Sequence, residues 1–94
     1  MHIISRRRLL EFSEIHADAE ASLDTWYRAA LRAQWENLVQ VRTAYPSADG
    51  VGKYTVFNIK GNNYRLIAEI NYRSKTIFVR YILTHTEYDK GKWK

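Results

Sequence analysis

Cysteine is absent from the 94 residues, which excludes a disulfide framework, a thiolate nucleophile and a cysteine zinc site and makes the cytosol the expected compartment. Long apolar runs are absent too, since nothing approaches the roughly 18 residues that a membrane span needs. The opening Met1-His2-Ile3-Ile4-Ser5-Arg6-Arg7-Arg8 runs on into mixed polar sequence, not into the apolar core of a signal peptide. Proline occurs once and glycine four times, none before position 46, so neither breaker interrupts a helical pattern in that stretch. Carboxylates are scarce where positive charge is densest. Residues 51–94 hold nine Lys and Arg against Glu69, Glu87 and Asp89, a net of +6, whereas residues 1–50 hold six Arg against seven acids, a net of −1. A metal-dependent nuclease needs clustered carboxylates, and Glu87 and Asp89 about Tyr88 offer two ligands at most, so no metal is expected.

What is present is ordinary globular material, 46% hydrophobic and 27% charged, of a length that suits one domain over residues 1–94. Its overall charge of +5 points toward an anionic partner, with nucleic acid ahead of acidic protein or a membrane surface. The first half has a helical period. Ser5 can cap a helix carrying Leu9, Leu10 and Phe12 on one face, and Asp18 can cap a longer one from about Ala19 to Val41. Its stripe of Leu23, Trp26, Tyr27, Ala30, Leu31, Leu38 and Val41 must bury against something. Residues 45–52 form the loop that ends the helical half. Beyond it the period becomes two, with strands expected over 53–59, 64–72 and 76–84 and hairpin-sized turns at 61–63 and 73–75.

These elements predict an α+β fold, with two N-terminal helices on one face of a small twisted antiparallel sheet and His2-Ile3-Ile4 as an added edge strand. Strict alternation puts Phe57, Ile59, Leu66, Ala68, Ile70, Ile77, Val79, Tyr81 and Leu83 under the helices. The other face then mixes Asn58, Lys60, Arg65, Arg73 and Arg80 with Val56, Ile67, Phe78 and Ile82, and is expected to stay open. Cross-strand pairs such as Glu69 with Arg80 would be the bland use of that face, and phosphate binding the functional one.

His85 stands where the last strand ends, while a solvated or capping role is expected for His2 and His16. Around His85 come Tyr88 and Lys90, with Arg65 and Arg80 on adjoining strands. Those side chains suit cleavage of RNA through its own 2′-hydroxyl. That step needs a base, an acid and cations against the pentavalent phosphate, and no metal or other cofactor. Tyr54, Tyr64, Tyr72, Tyr88 and Trp93 are interleaved with basic residues, as unstacked bases require, and Trp93 between Lys92 and Lys94 is expected to be the exposed ring. The run Arg6-Arg7-Arg8 suits solvation or carboxylate pairing better than a phosphate backbone. Gly50-Val51-Gly52-Lys53 lacks the spacing and the Lys-Ser/Thr pair of a nucleotide-binding loop.

Three strings carry a resemblance: Val56 to Ala68 with its Gly61-Asn62-Asn63-Tyr64-Arg65-Leu66, then Ile77-Phe78-Val79-Arg80, then Thr84-His85-Thr86-Glu87-Tyr88-Asp89-Lys90 with Trp93. Together with Met1-His2-Ile3-Ile4 and the 45–49 loop, they closely resemble the HigB-type toxins of bacterial toxin–antitoxin systems, in the RelE-like superfamily. The resemblance implies a ribosome-dependent mRNA endonuclease that arrests translation and growth until a cognate antitoxin neutralises it. That antitoxin would be HigA-type with a helix-turn-helix, so that operator DNA is reached only through it. The resemblance also implies that Arg65 takes the superfamily's basic position in the second strand of the hairpin and that His85 and Tyr88 fall in its catalytic segment. With the residue chemistry above, Arg65 and Arg80 are expected as phosphate stabilisers and His85 and Tyr88 as the proton-transfer pair. Lys53, Asn58, Lys60, Arg73, Lys90, Lys92 and Trp93 are the expected RNA contacts. Asn58 departs from the basic residue that many RelE-like members have there, which leaves Lys60 or Lys53 to supply that charge. A non-catalytic RNA- or ribosome-binding module on the same basic face is the alternative, and a protein-docking domain for an acidic partner is a third.

Overall fold

The computed structural model describes residues 1–94. Strand β1 (His2–Ile4) is followed by helix α1 (Arg6–Ile15), a short 3-10 turn at 17–19, helix α2 (Glu20–Arg32) and helix α3 (Leu38–Ala44). Strands β2 (Asp49–Val51), β3 (Tyr54–Ile59), β4 (Tyr64–Asn71) and β5 (Thr76–Thr84) come next, and helix α4 (His85–Asp89) closes the chain. The sheet order is β1-β5-β4-β3-β2. β2 to β5 form an antiparallel meander, but β1 lies parallel to β5, so the sheet is mixed and not purely antiparallel. No helix is long and apolar enough to cross a membrane.

The expected long second helix is two helices. Its apolar spacing continues through Leu38 and Val41, but the chain leaves the helix at Ala33, which has an extended ψ of 154°. The break drops the Trp35 ring against Phe57 and Tyr45, where it is buried. Asn37 restarts the helix, its side chain accepting from the Gln40 amide. Burial of one indole therefore overrides a pattern without a single breaker. Leu9, Leu23, Trp26, Ala30 and Val41 complete this layer over Phe57, Ile59, Leu66, Ala68, Ile77 and Val79. Each fully buried Leu, Ile, Val or Phe among them contributes about 1.5–3 kcal/mol.

Alternation fails once, and the failure decides the opposite face. Ala68 pairs with Val79 but Ile67 pairs with Tyr81, leaving Arg80 as an extra residue in β5. Tyr81 and Leu83 therefore lie on the face away from the helices, and Ile82 packs against the main core, the reverse of the expected placement. Nor does that face stay open. Gly91, at a φ of +70°, reverses the chain after α4. Trp93 then lands on Val56 and Ile67 in a second, small apolar cluster flanked by Tyr54, Leu83 and Tyr88.

Candidate active site and nucleic-acid interface

The β3–β4 turn organises the site. Lys60 and Gly61 take left-handed φ values of +51° and +62°, which turns the chain within four residues and presents the carbonyl of Asn62 to Arg65 and that of Asn63 to the start of α4. The Arg65 guanidinium donates to the Asn62 carbonyl at 2.9 Å and to its neighbour Tyr64 at 3.2 Å. The His85 amide donates to the Asn63 carbonyl at 3.0 Å. One turn thus anchors both groups.

Helix α4 is started by a reciprocal cap. The Thr84 hydroxyl accepts from the Glu87 amide, and the Glu87 carboxylate accepts from the Thr84 amide at 2.9 Å. That bond holds the Glu87 carboxyl below its ordinary pKa, and the charges of His16 and Lys90 act in the same direction. With the helix registered this way, Asp89 falls one turn beyond His85 and its carboxylate meets His85 Nδ1 at 2.8 Å. A proton held on Nδ1 leaves Nε2 free to exchange protons with a substrate. Tyr88 carries Arg65 over its ring at 5.3 Å and stacks on Trp93 with centroids 5.1 Å apart. Arg65 enters no ion pair, so its charge is uncompensated beside Tyr88.

Arg65 and Tyr88 are therefore in contact, and the turn that holds the Arg65 guanidinium also holds the backbone amide of His85. Arg80 does not join them. Its Nε is 3.2 Å from the Glu69 carboxylate and its guanidinium lies over Phe78, four residues along β4 from Arg65, or about 13 Å at strand rise. Asn58 is directly across from Arg65 and bonds Asn62 at 3.4 Å. Lys60 is paired with Asp18 at 3.0 Å. Lys53 sits over the Tyr54 ring at the β2–β3 turn, while Lys90, which caps the end of α4, and Lys92 beyond it are exposed without ion-pair partners. Arg73 is in the β4–β5 turn, at the far end of the sheet from His85. Trp93, expected to be exposed, is only 6% exposed, its Nε1 donating to the Tyr88 carbonyl. It holds the site together from beneath.

Two features went unseen in the sequence. Asp89 orients His85, a spacing that becomes visible only once 85–89 is known to be helical. His16 caps α1 through its amide as expected, yet its ring also stacks on Phe12 at 4.4 Å and meets Tyr64 at 5.4 Å. Beside it the Tyr64 hydroxyl donates to Asp18 at 2.6 Å. Bonds from Tyr64 and then Lys60 hold the Asp18 carboxyl below its ordinary pKa. A carboxyl lowered by folding contributes stability that is present above the ordinary carboxylate range and is lost as pH falls through the lowered value. The stability gap between the wild-type chain and Asp18→Asn, followed by urea unfolding, should therefore narrow from about pH 6 to about pH 3. A gap that stays constant over that range would show that the charge of Asp18 contributes nothing.

Comparison with known proteins gives the same direction. Residues 19–91 match the family model for HigB_toxin, described as the RelE-like toxic component of a toxin-antitoxin system. An mRNA interferase HigB from Escherichia coli O6:H1 (strain CFT073) is 36% identical over 93 residues, covering 96% of this chain and 90% of that protein. The mRNA interferase toxin HigB of Escherichia coli K12 and an mRNA interferase HigB from Shigella flexneri are each 26% identical over 92 residues, covering 95% of this chain and 88% of theirs. The matched segment runs from the last residue of the 3-10 turn to just past α4 and takes in the β3–β4 turn, β4, β5 and α4, which carry Arg65, His85 and Tyr88, so the chain belongs to the HigB family of RelE-like toxins of toxin–antitoxin systems.

Proposed function

We propose that this chain is a metal-independent endoribonuclease that cuts mRNA on translating ribosomes and is held inactive by a HigA-type antitoxin. The observation that carries this reading is an arginine without a counter-ion over the Tyr88 phenol, held by the same turn at residues 62–63 that fixes the backbone of His85, whose imidazole is paired with Asp89. In the reaction, His85 or Tyr88 takes the proton of the 2′-hydroxyl, and the 2′-oxygen attacks the adjacent phosphorus. The bond to the 5′-oxygen then breaks, and the other group of the pair protonates that oxygen, leaving a 2′,3′-cyclic phosphate and a 5′-hydroxyl. Arg65 stabilises the extra charge on the phosphorane. Arg80, with Lys53, Lys90 and Lys92, holds the flanking RNA backbone, and Asn58 supports Arg65 from across the β3–β4 pair. The names of the relatives support the substrate class.

Mapping of mRNA 5′ ends after induction tests the reading. New ends should appear at in-frame positions of a translated transcript and vanish when its start codon is removed. Ends that persist on the untranslated transcript would remove the ribosome from the proposal. Salt-sensitive RNA binding with no new ends at all would favour a non-catalytic binding module.

A further inference from the structure

The extra residue at Arg80 exposes a ring that the site described above does not use. Because β5 changes face there, Tyr81 stands 40% exposed on the side away from the helices. It meets Tyr54 edge-on at 6.4 Å, and Tyr54 meets Trp93 at 5.9 Å. These three rings line a cleft of about 510 Å³ between the β2–β3 turn and the C-terminal segment, together with Lys53, Lys92 and Lys94. No acidic side chain lines the cleft, and none of the three lysines enters an ion pair. On its other side Tyr81 borders a second cleft of about 350 Å³ with Leu83, Glu87 and Lys90.

Uncompensated cations around an aromatic lining match a ligand that is anionic at one end and flat at the other. An unstacked nucleotide has that form, since its base can lie against a ring while its phosphate meets the ammonium groups. An acidic peptide satisfies the lysines through its carboxylates but reaches the rings only where it also carries an aromatic side chain, whereas every nucleotide brings both groups together. The position agrees as well. Tyr81 lies two residues along β5 from Leu83, the register partner of Arg65, which is roughly 7 Å at strand rise. We infer that Tyr81, with Lys53 and Lys92, binds the base and phosphate of a nucleotide flanking the scissile bond. This rests on the ribonuclease reading above and adds to it a substrate-binding residue and a subsite.

The test measures binding of a short single-stranded 2′-O-methyl RNA carrying 2-aminopurine, which no 2′-hydroxyl mechanism can cut. Losing one stacked base weakens binding by roughly 5- to 150-fold. Tyr81→Ala should therefore weaken binding by about tenfold and abolish most of the fluorescence quench, while Tyr81→Trp retains both. Unchanged affinity in Tyr81→Ala, Tyr81→Trp as weak as Tyr81→Ala at equal melting temperature, or a wild-type chain that binds no such RNA would each overturn the assignment. So would loss of antitoxin binding with RNA binding intact, which would make the cleft a protein-docking surface. Because the readout is binding alone, a failure of the cleavage reading shows up separately, as absence of new 5′ ends with the stacking effect of Tyr81 preserved.

Discussion

His85→Ala should slow cleavage of translated mRNA by about 10²- to 10⁴-fold, the usual contribution of a positioned proton-transfer group. Its cost to the fold should be small. The imidazole is 52% exposed and its one ion-pair partner is Asp89, an exposed helical pair of a kind worth about 0.3–0.5 kcal/mol. The melting temperature should accordingly move by no more than a few degrees. The measurement is the rate of appearance of new mRNA ends in a translating extract, with thermal melts of both proteins alongside. Cleavage at the wild-type rate by His85→Ala would take proton transfer away from His85. Loss of cleavage together with collapse of the melt would leave the residue as a structural prop of α4. Asp89→Asn provides a graded comparison, because it keeps a side chain of the same size one turn from the ring while removing the charge that orients it.

Trp93→Ala should be the costliest single truncation on the face opposite the main helices, at about 3 kcal/mol or more. The indole fills the space over Val56 and Ile67, stacks on Tyr88 and bonds the Tyr88 carbonyl at 3.1 Å, so its removal leaves a cavity and frees the end of α4 together. Since a domain of this size has only about 5–15 kcal/mol in hand, chemical denaturation should show a large drop. Cleavage should fall as well, through the lost seating of Tyr88 and Arg65, and Trp93→Phe should recover much of both. Had Trp93 been the solvent-facing stacking residue that its lysine neighbours suggest, truncation would weaken RNA binding and leave the melt unchanged.

The contrast at Trp93 shows where one-dimensional reasoning stops. Lys92 and Lys94 argue for water on both sides, and they are exposed, but a glycine two residues earlier sends the chain back over the sheet. The indole between them is then the largest apolar group available to cover Val56 and Ile67. Tyr81 is the mirror case. Alternation from Val79 places it in the core, and one extra residue places it in water. Arg80 and Arg65 share the expected face, yet the distance along the strand and the carboxylate of Glu69 separate them. In each case the local pattern is sound and a non-local contact reverses its consequence.

Composition, period and motif by themselves determined the helical first half, the three long strands within a residue at either end, the excess charge of the second half and the grouping of His85, Tyr88 and Lys90 in one segment after the last strand, because each rests on properties of neighbouring residues. The tertiary structure alone decided the break at Ala33, the parallel β1, the face on which Tyr81 stands, the burial of Trp93 and the pairing of His85 with Asp89. Each of these depends on which distant group fills a space or accepts a hydrogen bond, and that choice is made by the packed molecule as a whole.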